Sequence, residues 1–429
     1  MRRRLVTILV LLVLLSTMVM GFGAGCGLKY TKNVLKVGVA GPMQFIMGRH
    51  HWLGAQMAAD EINKAGGVLI DGKKYRIDLV QIDTNELLSV DDAAAAIERA
   101  ISVDKVDVLV GSIRTEAALV MQEIAMDNQT IFIVCGASHT VLSAKVGADY
   151  ERYKYWFRVT PINVGNLVKT SMILLNQVGA TVRAELGIAK PKVAVIIEKA
   201  VAGDPLAAAA QALIPTFGME FVGLWRPSPN ATDVTAELTA IRDSGANIIY
   251  TYFSGPAGVP YAKQWGELQI PAASVGINVE AQAKGFMQAT NEMGNWEYTL
   301  NTMARVEITP KTIPYYDAFV ERTGGLEFPT YNAGTYDAIY IWKEAIERAN
   351  SADPDAIVVE MEKTDFISSA GRIVFDAMHD VTWGPGFVTA VGTQWQDGEL
   401  VCCWPIDFYG VTYEGTVPYK LPPWMVPGG

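Results

Sequence analysis

Three loops of this chain gather polar and aromatic side chains of the kind that hold a small molecule. Gly41 to Trp52 carries Gln44, Phe45, His51 and Trp52, two rings able to wall an apolar group and two side chains able to hydrogen-bond beside it. Gly111 to Glu116 carries Arg114 and Thr115. A guanidinium at a helix start would grip a carboxylate with paired bonds, and a hydroxyl there both donates and accepts. The same two residues also suit plainer roles, an ion pair with Glu116 and a helix cap. Cys135 to Thr140 brings Gly136 and Ala137, small enough for close backbone approach, with Ser138 and His139 as polar ends. Further on, Tyr252, Phe253 and Ser254 form another such cluster, and Glu280 is the nearest acid beyond it.

None of these groups makes a catalytic signature. The chain has no G-x-S-x-G elbow, no phosphate-binding P-loop and no H-E-x-x-H. Its four histidines are His50, His51, His139 and His379, and no neighbouring residue marks a nucleophile for any of them. His50 and His51 diverge on a helix start, with no cysteine in step, so neither a metal nor a cofactor is expected. The pattern points to binding without chemistry.

The elements that must position these loops alternate between strand and helix. Val34 to Ala40 is a short apolar run with β-branched residues, closed by Gly41-Pro42, and reads as a buried strand. A helix is expected from Trp52 to Ala65, stopped by Gly66-Gly67. Strands at 75–82, 106–110 and 131–134 follow, with helices beginning at Ser89 and Ala117. The grammar restarts with strands at 192–197, 220–225 and 248–253, separated by helices at 205–217 and 233–244, and a long helix spans 335–350. Such alternation implies right-handed crossovers and parallel sheets covered on both faces. The expected class is therefore α/β, two doubly wound parallel-sheet lobes joined by a multi-strand hinge. Lobe 1 takes 34–158 and 279–372, and lobe 2 takes 159–278 and 373–429. In open sheets of this kind ligands bind beyond the carboxyl ends of the strands, where the three loops fall.

The first residues set the compartment. Arg2, Arg3 and Arg4 precede an apolar run from Leu5 to Leu15, and small residues lead to Gly23-Ala24-Gly25-Cys26. This is the layout of an export signal over residues 1–25. The cysteine after Ala-Gly resembles a bacterial lipobox, with Gly23 where leucine is usual, which implies a lipid on Cys26 and a tether over 26–33. Removing the three leader arginines leaves 32 basic against 45 acidic side chains, a net charge of −13. Such a surface argues against nucleic acid and against anionic lipid heads, so membrane contact is expected through the lipid alone. Beyond Cys26 only Cys135, Cys402 and Cys403 remain, too few for a disulfide framework.

The order of these pieces resembles the type I periplasmic solute-binding proteins, the branched-chain amino acid and amide group of transport receptors. The likeness rests on Val37 to Pro42, the helix Gly54 to Asn63, Lys105 to Gly111, Phe157-Arg158-Val159-Thr160, Tyr336-Asp337-Ala338 and Gly371 to Asp376. It implies a receptor that closes on a small polar organic solute and delivers it to ABC permease subunits; an exported sensor signalling through a membrane partner is the alternative. By the same resemblance, the Thr115 hydroxyl would meet a ligand carboxylate, with Ala137 and His139 beside it. The second-lobe aromatic and acid of that family fall on Ala202 and Ala257, a departure that leaves Glu280 as the substitute acid. If Cys26 carries the lipid, the Cys26→Ser protein will leave the membrane fraction; wild-type protein that itself partitions into the aqueous phase of a detergent extraction would contradict this.

Overall fold

The computed structural model describes residues 33–426, so the expected leader, Cys26 and the last three residues lie outside the described residues. β1 (Val34–Gly41), β2 (Val68–Ile70), β3 (Lys73–Asp83), β4 (Val108–Gly111), β5 (Ile131–Val134) and β6 (Trp156–Arg158) form one sheet, ordered β2-β3-β1-β4-β5-β6. β1, β4, β5 and β6 run parallel, and β2 and β3 are an antiparallel hairpin. The second sheet begins with β7 (Lys192–Ile197), β8 (Glu220–Trp225), β9 (Ile248–Phe253), β10 (Ala273–Asn278) and β11 (Tyr298–Asn301). A separate hairpin follows, β12 (Asp365–Ser368) with β13 (Gly371–Val374), before β14 (Val391–Gln396) and β15 (Glu399–Trp404) rejoin the second sheet. Its order is β15-β14-β11-β10-β9-β7-β8, parallel except for the antiparallel edge pair β14 and β15.

β4, β5 and β9 are buried from end to end. That is why they read as unbroken apolar runs: helices cover both faces of a parallel sheet, leaving no solvated side to alternate with. Four helices matter for the site, α1 (Ile46–Lys64), α2 (Thr115–Asp127), α3 (Val164–Leu186) and α4 (Thr335–Ala349). α4 packs on α1 beside the first sheet, and α3 packs on β10 and β11. No helix among the described residues is long and apolar enough to cross a membrane.

Three features differ from the sequence expectation. The β2–β3 hairpin was not anticipated, although Asp71-Gly72 announces it: both residues take positive φ (48° and 71°), the requirement of a two-residue type I′ turn. Helix α1 begins at Ile46 and not at Trp52, because Gly48 is needed for contact and does not break the helix. A Cβ on Gly48 would lie 2.4 Å from the Pro42 carbonyl group. Finally, the chain was expected to re-enter the first lobe at 279, but β11 pairs in parallel with β10 and keeps it in the second sheet to Asn301. The segment after Trp404 packs on the second sheet as expected: Trp424 donates to the Ile270 carbonyl (2.9 Å) and Gln394 to that of Lys420 (2.8 Å).

The chain passes between the sheets after β6, after β11 and after β13. The first and third passages are locked together. Arg158, fully buried, pairs with Asp380, and also donates to the carbonyls of Ala137 (3.0 Å) and His139 (3.1 Å). Asp380 accepts further from Ser143 (2.5 Å) and Asn163 (2.6 Å). His379 stacks on Phe157 with centroids 4.1 Å apart, and its backbone oxygen takes the Arg158 amide at 3.0 Å. Burial holds the guanidinium below the ordinary arginine value, and Asp380 opposes that loss. Asp380→Asn keeps the volume and removes the counter-charge paired directly with the buried Arg158, leaving only the more weakly acting Asp376. It should lower stability by about 3–5 kcal/mol, read as a fall in the urea midpoint; an unmoved midpoint would show that the pair does not lock the passages.

Candidate functional site

A narrow cleft lies between the two sheets, about 560 Å³ of space outside the protein atoms when the open solvent at its mouth is included. Its walls come from the carboxyl ends of parallel strands on both sides. The first sheet contributes Ile113 to Glu116 after β4, and Gly136 and Ser138 after β5. The second contributes Ala200 and Ala202 after β7, Tyr252 and Ser254 at the end of β9, and Ile277, Val279 and Gln282 around the end of β10. Leu87, Ile162, Leu167, Leu300 and Tyr331 complete an apolar lining.

On the first-sheet side the loop after β4 is held tightly. Gly111 takes φ +113°, and a Cβ there would lie 2.1 Å from the Ala40 oxygen, so only glycine fits. Ser112 follows at φ +64°, a left-handed conformation unusual for a residue with a side chain. Its amide donates to Ala40 (2.8 Å) and its hydroxyl to Glu86 (2.8 Å). Glu86 arrives from the loop after β3, is buried, and also accepts the amides of Ile113 and Arg114 at 3.2 Å each. Burial raises its pKa to about 7, against the pull of these donors. Strained backbone of this kind persists only where its surroundings over-determine it, and Glu86 does so here.

Arg114 reaches into the cleft and is already engaged. Its Nε lies 3.0 Å from Glu116 Oε2, and Nη2 donates to Glu116 Oε1 at 3.3 Å. Nη1 extends across the cleft to 3.8 Å from Glu198 Oε1, on the residue after β7. In the same direction, Glu116 accepts the amide of Val201 at 3.2 Å. Glu198 is fully buried and accepts from the Ser254 hydroxyl and from the Gly255 amide (3.3 Å). Burial raises the Glu198 pKa, opposed by Ser254 and by the charge of Arg114. Because Ser254 spends its proton on Glu198, it turns lone pairs to other partners and acts there as an acceptor.

Of the residues singled out from sequence, Arg114, Thr115, Gly136, Ser138, Ala202, Tyr252 and Ser254 line the cleft. The others do not. Gln44 is exposed and gives its carbonyl to Arg49, and Phe45 is the residue before α1, packed against core side chains. Trp52 is half-buried within α1. The early start of that helix turns His51 inward against Gly41, where a Cβ would lie 2.6 Å from its Nδ1, and burial lowers its pKa to about 3. Ala137 faces the interior and offers its carbonyl to Arg158. His139 caps the next helix, Nδ1 accepting the Val141 amide at 3.1 Å, a role that needs the neutral ring; burial lowers its pKa accordingly. Phe253 alternates away from Tyr252 and stacks on Tyr261 in the opposite core layer, centroids 4.8 Å apart. Glu280 sits in a helical turn after β10, its pKa raised by burial to about 7, with Arg49 as the opposing charge. No cluster of metal-ligating side chains occurs among the described residues.

Sequence reasoning missed Glu86 and Glu198, the two carboxylates that shape the walls. Both follow a strand directly or by a few residues, so the strand-end rule applied to acids would have found them.

Residues 36–398 match the family model described as periplasmic binding protein. An amino acid binding protein of Pseudomonas aeruginosa is 27% identical over 326 residues, 74% of this chain and 79% of that one. A leucine binding protein from Thermotoga maritima superimposes with a TM-score of 0.69 at 21% identity, covering 86% of this chain and 97% of that one. A branched-chain amino acid transporter substrate binding protein from Streptococcus pneumoniae, solved with isoleucine, gives 0.68 at 20% identity over the same shares. The family so matched is made of solute-binding proteins and not of enzymes. With two α/β lobes, a cleft at their strand ends and a family model spanning both, the chain belongs to the periplasmic binding protein family.

Proposed function

We propose that this chain is the extracytoplasmic receptor of an ABC importer. It captures a small polar organic solute, amino acid or amide-like, between its lobes and presents it to permease subunits, while a lipid on Cys26 keeps it at the membrane after removal of the leader. The observation that carries this reading is the cleft itself: polar groups from strand ends of both sheets converge on an otherwise apolar lining, and three chain passages join the lobes. A solute touching both walls favours the shut arrangement and shifts an open–closed equilibrium toward it. Thr115 and Ser138 on one side, and Tyr252, Ser254 and Gln282 on the other, are the groups placed to hydrogen-bond the cargo.

A thermal-shift screen of amino acids, amides, nucleosides and aromatic acids should find a stabilising solute, because a ligand bound by the native state alone raises its stability. With that solute, Thr115→Ala and Ser254→Ala should each weaken binding about three- to tenfold in calorimetry, from ~0.5–1.5 kcal/mol per hydrogen bond. Affinities equal to wild type in both variants would refute this site.

A further inference from the structure

We propose that Arg114 and Glu116 are positioning residues of the binding step. Together they form a clasp that draws the lobes shut by protein contacts alone, so that the closed arrangement is the main form before a solute enters. The role in binding rests on the receptor reading above; the clasp itself does not. Both residues stand at the start of α2, on the first-sheet side of the cleft. Glu116 Oε1 is the node. It accepts Arg114 Nη2 at 3.3 Å within its own lobe, and the Val201 amide at 3.2 Å from the loop after β7. Arg114 Nη1 makes a second crossing, to 3.8 Å from Glu198 Oε1. Each crossing joins two groups of the protein directly, so neither needs a solute as a bridge.

An ion pair near the surface contributes little when two long side chains must be ordered to make it. Here the parts are set beforehand. Glu116 Oε2 also holds Arg114 Nε at 3.0 Å, so the guanidinium is fixed before it meets the second lobe. Facing it, Glu198 is fixed by the Ser254 hydroxyl and the Gly255 amide. Little side-chain freedom is left to lose on closure. An apolar seam runs beside the clasp: Ile113 and Tyr331 of the first lobe lie in one packed cluster with Tyr252, Ile277 and Val279 of the second, all of them buried. Opening would return part of that surface to water. Closure held in this way is a pre-existing state that cargo selects, and apparent affinity scales with the closed fraction. Entry, by contrast, is granted only by molecules that are momentarily open.

Small-angle scattering of the cargo-free protein reads closure directly. Wild type is expected to fit the profile calculated from this closed structure. Glu116→Ala removes the acceptor for Val201 and Arg114→Met the charge facing Glu198, and each should give a larger radius of gyration. Stopped-flow binding of a solute found by the screen supplies the second readout. Both opened variants should associate faster, because more molecules stand open, and yet bind about three- to tenfold more weakly. A side chain that merely touched the cargo would weaken binding without expanding the cargo-free protein or speeding association. Wild type that scatters as an open molecule, or folded variants with the radius of wild type, overturns the clasp and leaves the receptor reading standing. A screen in which no solute binds removes the receptor reading, and scattering still decides the clasp.

Discussion

The buried pair of Arg158 and Asp380 is the contact on which this molecule's architecture turns. Two sheets that share one chain must be connected, and each connection drags backbone and side chains through a dry interface. A guanidinium buried there is tolerable only with a counter-charge and a full set of acceptors. Asp380 supplies the first; the carbonyls of Ala137 and His139 supply the rest. Those carbonyls belong to the loop after β5, which is one wall of the cleft. The lock between two chain passages thus also fixes a binding loop, so that any relative movement of the lobes turns about a wall that is itself rigid.

The same economy recurs inside the cleft. Glu86 and Glu198 stand behind the two walls and shape them by accepting backbone amides and serine hydroxyls. Each carboxyl group takes several donors that the strand ends would otherwise leave buried and unpaired. Arg114 and Glu116 reach the opposite side and touch Glu198 and the Val201 amide, so groups of the protein meet across the cleft without any cargo between them. Charge here serves to position backbone and to bring the lobes together.

Much of the fold was legible in the chain. The strands 131–134, 192–197 and 248–253 formed with the limits read from their apolar runs, because burial on both faces leaves a mark that needs no tertiary knowledge, and the half-buried edge strand 220–225 formed with its expected limits too. Ser89 caps its helix by accepting the Asp92 amide, as its position indicated. The Asp71-Gly72 turn was equally written in local chemistry and was simply overlooked. The site was less legible. Strand-end loops were the right places to look, yet each loop also offered side chains that turn elsewhere: Phe253 beside Tyr252, His139 beside Ser138, and Glu280 where Glu198 backs the wall.

The reason is that alternation and burial are decided by partners far away in sequence. His51 points into the core because Gly48 lets α1 start six residues early against Pro42, and nothing in the local pattern announces that contact. Arg114 finds Glu198 across 83 intervening positions, and Asp380 finds Arg158 across more than 200. The sequence by itself determined the family, the two α/β lobes and the edge of the sheets where cargo is held, since these follow from periodicity and turn chemistry. Only the tertiary structure decided which carboxylates brace the walls and which charges cancel, because a pairing exists only once both partners have been carried to the same place.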